Sequence, residues 1–480
     1  MNPPVTRGFF LRRSGQAALA AAGLYSVIDG LTAPPARAAG ATHGHPREQH
    51  VLQGLRTFTE RDVEAIVPPV HHQIITARVE ASRSKADLVE AQVELERALA
   101  RVDAMFPSTA TGLGVTVGWG GPYFHRLVPR LADGRRFPHY LPLDRRASRA
   151  AGRPLPALLE SPRFPSDPED VVLERNDVCV LLRSDSLRHI AAGTKEIFTD
   201  LAGLLSITSV RRGFVGSGVA GEVGLPKHMA LRAGVPGAEL IPDAAQLFLG
   251  FTSTQTKALG PERIANLETL PALTDQWPHG YFRYGTTMHV SHLFEDLEMW
   301  YARFSYIRRV WAAFRPGLSV PDGTRTVPEG PLGAETLAHV SNDARDLGLI
   351  GHSGALQPAT RLDRDTVDNY GVKNARGTAV IQRGDFNTLD NPFFWSARPT
   401  GDGMSDRPAA GLHFVAFAAT SDSFHRARRA MDGRYPDGSS TPFRARQEEQ
   451  GLNSILRTTH RQNFLVPPRR HRAFPLAELL

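Results

Sequence analysis

Cys179 is the only cysteine among 480 residues, which excludes an intramolecular disulfide framework and any multi-cysteine zinc or iron–sulfur site. Long hydrophobic runs are equally scarce. The one apolar stretch, from about Ser14 to Ile28, is too short to span a bilayer. Phosphate-cradling Gly-x-x-x-x-Gly-Lys-Ser/Thr, zinc-binding His-Glu-x-x-His and the Gly-x-Ser-x-Gly nucleophile elbow are all missing. So are the basic stripes interleaved with aromatics that single-strand binders carry, so nucleic acid is not the expected partner. What remains is a mixed-charge chain, 41% hydrophobic, with 43 Gly and 36 Pro, long enough for two domains built from many short elements.

Residues 1–38 read as an export signal. Arg7, Arg12 and Arg13 form a basic start, the apolar stretch follows, and Ala36-Arg37-Ala38 is a small-residue cleavage site. Arg12-Arg13 suggests the twin-arginine route, although Phe9-Phe10-Leu11 stands before the pair rather than after it. Cleavage removes four arginines and Asp29, so a formal charge of +7 becomes +4. The expected location is outside the cytoplasm, periplasmic or extracellular. The densest basic run, Arg469-Arg470-His471-Arg472, reads as a solvated tail.

Beyond the signal, Val70 to Val79 alternates as a strand. Ser84 caps a helix whose Leu88, Leu95, Leu99 and Val102 share a face. Leu113 to Gly120 and Asp177 to Leu182 are further strands, and a helix with Ile190, Ile197, Leu201 and Leu204 on one face follows the second. This order describes a ferredoxin-like α+β unit. A second round is expected: a strand from Tyr281 to Leu293, a long helix from Leu293 to Trp311, strands at Gly377 to Asp385 and Leu412 to Ala418, and a helix from Asp422 to Met431. The boundary falls in the Gly-rich stretch from Gly216 to Ala238, giving domains 39–225 and 226–480. Cys179, inside an apolar strand, reads as a buried small hydrophobe. His71 and His72 point to opposite strand faces and cannot share a metal, and His289 and His292 read as hydrogen-bonded structural groups.

Several short stretches, in order, resemble the dye-decolourising (DyP-type) haem peroxidases: Gly112 to Gly120, Pro162 to Pro165, Asn176 to Leu182, Arg211 to Phe214, Leu249 to Thr252, Ala338 to Val340, Val380 to Gly384 and Gly411 to Phe417. The resemblance implies two ferredoxin-like domains with antiparallel sheets, of the dimeric α/β-barrel type, and a haem b in the C-terminal one. His339 matches the proximal histidine that holds the iron. Asp422 is a candidate partner for its other ring nitrogen. Arg383 matches the distal arginine that stabilises charge as the peroxide O–O bond breaks.

The chain departs from the family at Gly250-Phe251-Thr252-Ser253-Thr254. Ser253 stands where the family's Gly-x-x-Asp-Gly motif has its acid, and Thr254 where it has its second glycine. A hydroxyl is no general base near neutral pH. Either Asp385, on the same strand face as Arg383 by period-two alternation, substitutes for the acid or Arg383 alone suffices for a slower peroxide cleavage, while the plain reading of Asp385 is an ion pair with an arginine at a strand end; Thr252 and Gln255 are further candidates for the pocket wall. Trp300, Tyr301, Tyr370 and Trp395 are available as electron relays from bulky substrates, although each such residue is more often a packing aromatic than a relay. The expected activity is hydrogen-peroxide-dependent one-electron oxidation of a phenolic or dye-like organic reductant. The alternatives are a haem enzyme with a different reaction and a non-catalytic haem-binding or haem-delivery protein. A homo-oligomer is compatible with the sequence.

Overall fold

The computed structural model describes residues 44–133, 140–216, 224–252, 269–271, 273–327, 335–399, 401–441 and 450–480. The expected export signal and Ser253, Thr254 and Gln255 lie outside the described residues. Alternating side chains make β1 (His71–Val79), and the Ser84 hydroxyl then accepts the Asp87 backbone N–H at 3.1 Å to start α1 (Lys85–Met105). Leu88, Leu95, Leu99 and Val102 form the buried stripe of α1. Strands β2 (Gly114–Gly120) and β3 (Val178–Ser184), helix α2 (Leu187–Thr199) and strand β4 (Leu205–Phe214) complete the unit. All pairings are antiparallel, in the order β4-β1-β3-β2 that defines a ferredoxin-like sheet.

The second round contains β5 (Thr286–Glu295), α3 (Tyr306–Ala313), α4 (Leu337–Leu347), α5 (His352–Thr360), β6 (Gln382–Arg383), β7 (Phe386–Leu389), β8 (Ala410–Ala418), α6 (Ser421–Met431) and β9 (Leu456–Val466). Its order, β9-β5-β8-β7, repeats that of the first. The expected α+β class with two antiparallel ferredoxin-like units is therefore present. The two sheets also join. β2 pairs with β9 through Gly120↔Phe464 and Trp119↔Leu465, and β7 meets β4 at Asn387↔Phe214, so eight strands close a ring.

Inside the ring sit Ile74, Cys179, Leu181, Met288, Val290, Phe386, Val415, Phe417 and Phe464. Burial pushes the Cys179 thiol up to about 12, so it behaves as the expected apolar side chain. On the outside, α1 and α2 cover the first sheet, while α5 and α6 stand over the second. At the narrow seam, Gly213 is required by close approach. A Cβ there would lie 2.1 Å from the Asn387 carbonyl oxygen. Asn387 ties the seam to the next segment: its amide donates to the carbonyls of Phe214 (3.0 Å) and Gln246 (2.9 Å), and its Oδ1 accepts the Phe248 N–H at 3.0 Å.

Several expectations are corrected. The helix expected from Leu293 to Trp311 is two pieces, because β5 runs on to Glu295 and extended Phe304 breaks a π-helical turn, Met299–Arg303, from α3, which Ser305 caps. The strand expected from Gly377 to Asp385 shrinks to Gln382–Arg383. The basic C-terminal run is no solvated tail. Arg469 and Arg472 both pair with Asp103 (2.9 and 2.7 Å), and Arg472 also reaches Glu96 at 2.8 Å, so carboxylates of α1 draw the segment onto the first unit. His289 and His292 lie within β5 on opposite faces. His289 bonds Asn463 and Ser291, and His292 bonds Thr459 and Asp390.

Candidate active site

Between the second sheet and helices α5 and α6 lies a cavity with about 1590 Å³ of space between protein atoms, counting its open mouth. Odd positions of β5 and even positions of β8 turn toward it, which places Ser291, Leu293, Glu295, Leu412 and Phe414 on one wall. Arg383 and Asp385 stand in the same wall, as their alternation predicts. His352, Leu356 and Gln357 of α5 and Phe424, Arg428 and Met431 of α6 form the other. Thr252 also lines the space.

The segment 247–252 that closes one side is held from behind. Trp300 donates its indole N–H to the Leu249 carbonyl at 3.1 Å, and the Tyr301 hydroxyl donates to the Phe248 carbonyl at 2.6 Å. Gly250 has φ +84°, a left-handed conformation that favours glycine. Trp300 and Tyr301 are thus buried supports of this segment, in the packing role that such aromatics more often have than that of a relay. Tyr370 packs against Trp277 and Tyr284, and Trp395 sits opposite Val210 of β4.

The structure does not bring His339 to this cavity wall. His339 is exposed at the third position of α4, where its backbone N–H bonds the Thr336 hydroxyl at 3.3 Å and its ring accepts the Thr336 N–H at 3.4 Å, a helix-capping box. Asp422 is likewise occupied elsewhere, pairing with Arg426 at 3.1 Å and Arg146 at 3.6 Å.

His352, which sequence reasoning passed over, does line the cavity. It opens α5, and its Nδ1 is buried without a protein hydrogen-bond partner. Burial first, and then the charges of Arg383 and Arg428, hold its imidazole down at about 3, so the ring is neutral. Its position is fixed by the preceding glycine. A Cβ on Gly351 would lie 2.2 Å from the Phe314 carbonyl oxygen, and the Gly354 N–H donates to that same oxygen at 2.7 Å. The sequence signal was the pair of glycines flanking His352 in Gly351-His352-Ser353-Gly354.

Across the cavity, burial raises the Asp385 carboxyl to about 6 against the opposing pull of Arg383 and the Val415 N–H. Glu295, also unforeseen, is 2% exposed and raised by burial, and by the neighbouring Asp385 charge, to about 8. The described residues contain no group of three or more His, Cys, Asp or Glu side chains suited to a bare metal ion. They do present one neutral imidazole, an opposing arginine and carboxyl, and an apolar space between.

A family of unknown function, DUF7405, matches the chain over residues 69–468, and the chain belongs to it. No curated protein matches. Among solved structures it is similar to a putative dyp-type peroxidase from Shewanella oneidensis, with 14% identity over 86% of this chain and 96% of that one and a TM-score of 0.46. A dye-decolorizing peroxidase from Bacteroides thetaiotaomicron gives 12% identity over the same shares with a TM-score of 0.47. A variant of DypB from Rhodococcus jostii in complex with heme gives 13% identity, again over 86% and 96%, with a TM-score of 0.46. Among the described residues no helix is long and apolar enough to cross a membrane.

Proposed function

We propose that this protein is an exported haem b peroxidase that uses hydrogen peroxide to oxidise phenolic or dye-like reductants one electron at a time. In this reading residues 1–38 are removed and the haem lies within residues 226–480. The observation that carries it is the cavity in which neutral His352, half-buried with its Nδ1 out of contact with water, stands on one wall and Arg383 with Asp385 on the other. The residues present fit the group. One imidazole nitrogen is available as a single protein ligand, Leu293, Leu356, Leu412, Phe414 and Phe424 supply apolar faces for a macrocycle, and Arg361 supplies a guanidinium group for its carboxylates. His352, rather than His339, is the proposed iron ligand, because its buried Nδ1 is unsatisfied by protein while His339 is spent on capping α4.

When bound, haem iron with one protein ligand supplies an open position for peroxide and one-electron redox chemistry. Arg383 contributes a fixed positive charge toward the negative charge that grows as the O–O bond breaks. Asp385, raised toward neutrality, holds or releases a proton beside it. Haem carriage without peroxide chemistry is the second reading, favoured by Ser253 and Thr254 in place of the acid and glycine of the loop motif.

Reconstitution with haemin tests both. A Soret band is expected in the wild type and in His339→Ala and is expected to be lost or displaced in His352→Ala. Retention of an unchanged band in His352→Ala would overturn the ligand assignment. Rapid mixing with hydrogen peroxide then separates the readings: a fast change in the Soret region supports the peroxidase, and a static spectrum supports carriage.

A further inference from the structure

Ser291 lines the cavity, and the polar groups behind its hydroxyl have only one way to bond. The amide nitrogen of Asn463, on β9, lies 2.8 Å from the Leu159 carbonyl, which can only accept, and 3.1 Å from His425 Nε2, so both of its hydrogens are donated. The amide oxygen is left facing His289 Nδ1 at 2.7 Å, and that ring nitrogen therefore carries the hydrogen. His289 Nε2 is then a bare lone pair 3.1 Å from the Ser291 hydroxyl, which donates to it. Phe424 of α6 stacks on the imidazole with ring centroids 3.4 Å apart and fixes its plane.

A second observation lies on the same face. Arg461 of β9 is directly opposite Ser291 in the register of β5 and β9, and it lines the same cavity. Residues so paired hold their Cβ atoms about 4.5–5.5 Å apart. The Arg461 Nη2 donates to Asp167 at 2.6 Å and its Nη1 to the Pro162 carbonyl at 3.3 Å, but its buried Nε has no protein hydrogen-bond partner. The side chain is 1% exposed, so a donor left unused there is costly unless a ligand oxygen accepts from it.

We propose that Ser291, His289 and Asn463 are the nucleophile, base and orienting group of an acyl-transfer site in this cavity, with the Arg461 Nε–H as donor to the substrate carbonyl oxygen. Leu293, Leu412, Phe414, Phe424 and Met431 line the space around Ser291, so the substrate is an ester with an apolar acyl or aryl group. Asn463 is a positioning residue that acts only through His289. The site does not rest on the haem reading, because each of its contacts lies within the protein.

The step needs no oxidant or reductant. The Ser291 O–H proton passes to His289 Nε2 as Oγ bonds the carbonyl carbon, and the C=O electron pair moves onto the oxygen that accepts from Arg461. Breakage of the C–O bond then expels the alcohol oxygen, which takes the proton from Nε2. Water repeats the sequence on the acyl group, releasing the acid and returning a proton to Ser291. Burial and the nearby Arg461 charge hold the His289 imidazole well below its usual value, so the resting ring is neutral. Its imidazolium forms together with the oxyanion, and no net charge is added to the buried site.

A fluorophosphonate probe, which phosphonylates activated serines, tests the site in the full chain without haemin. Peptide mass spectrometry is expected to find one adduct, on Ser291, and none in Ser291→Ala. Labelling is expected to slow about a hundredfold or more in His289→Gln, in protein whose circular dichroism matches wild type. Arg461→Lys, which keeps a charge for Asp167 and removes the Nε–H, is expected to slow it about tenfold or more. Nitrogen NMR of the wild type is expected to place the His289 ring hydrogen on Nδ1, and in Asn463→Leu on Nε2. Absence of an adduct on Ser291 in the wild type would overturn the proposal whether or not any variant folds, as would undiminished labelling in His289→Gln. Undiminished labelling in Arg461→Lys would overturn the carbonyl-oxygen donor, and a wild-type His289 protonated on Nε2 would overturn the orienting role of Asn463.

Discussion

Mild acid is expected to unfold this protein through its buried histidines. His50, His71, His72, His289, His352, His413, His425 and His460 all have imidazoles held below the ordinary 6.5, with burial as the main cause in each. His50, His72 and His352 fall to about 3, His71 and His425 to about 4, and His460 to about 2. A lowered imidazole pKa means that the unfolded chain takes up protons that the folded one refuses. Stability is therefore lost as the pH falls through 6.5 toward the folded values. One pH unit below 6.5, each of the six histidines lowered to about 4 or less costs about 1.4 kcal/mol, together about 8 kcal/mol, and His289 and His413 add to the loss in the same direction. Glu295 and Asp385, raised to about 8 and about 6, act in the opposite sense. They favour the folded state as the pH falls and return about 3 kcal/mol between pH 7 and 5.5. After allowance for what those six histidines already cost at pH 7, the net loss is about 5 kcal/mol, against a total of about 5–15 kcal/mol for a typical fold. Urea unfolding of haem-free protein, followed by circular dichroism across this range, reads the effect as a steep fall in midpoint. A midpoint at pH 5.5 equal to or above that at pH 7 would refute the reasoning.

Two substitutions probe the supports of the site. Gly351→Ala forces a Cβ to within 2.2 Å of the Phe314 carbonyl oxygen and 2.4 Å of the Arg315 Cα, both backbone atoms that cannot swing aside. It is expected to cost about 1–3 kcal/mol in urea unfolding and to weaken haemin uptake by displacing His352. Asn387→Ala leaves the Phe214 and Gln246 carbonyls and the Phe248 N–H without their partner. A loss of about 3 kcal/mol is expected, measured by the same unfolding assay.

The first unit could be read directly because its pattern is local. Ser84 with Asp87 marks the helix start, and the spacing of Leu88, Leu95 and Leu99 marks the buried face, so short-range rules suffice. Arg383 and Asp385 were placed on one face by alternation alone, and the cavity wall has them there. Glu295 escaped because the stretch after Leu293 has helical composition. Pairing with Leu456 on β9 keeps it extended, and that is a contact no local pattern contains. His339 and His352 lie thirteen positions apart, both near helix starts, and order along the chain did not separate them. What separates them is the packing of Gly351 against the Phe314 carbonyl, which turns one toward the cavity, and the Thr336 cap, which keeps the other at the surface.

The closed ring of strands also governs how the chain is made. β2 and β4 leave the ribosome early, yet their outer edges have no partners until β9 and β7 follow, roughly 340 and 170 residues later. At about 5–20 residues per second this leaves open strand edges for roughly ten seconds to a minute, long enough for unwanted pairing with other nascent chains. Fragments that end before β7 expose both edges permanently. Dividing the gene between the two units is thus expected to yield aggregates rather than two soluble halves, and co-expression of the halves is expected to recover soluble protein only as a complex.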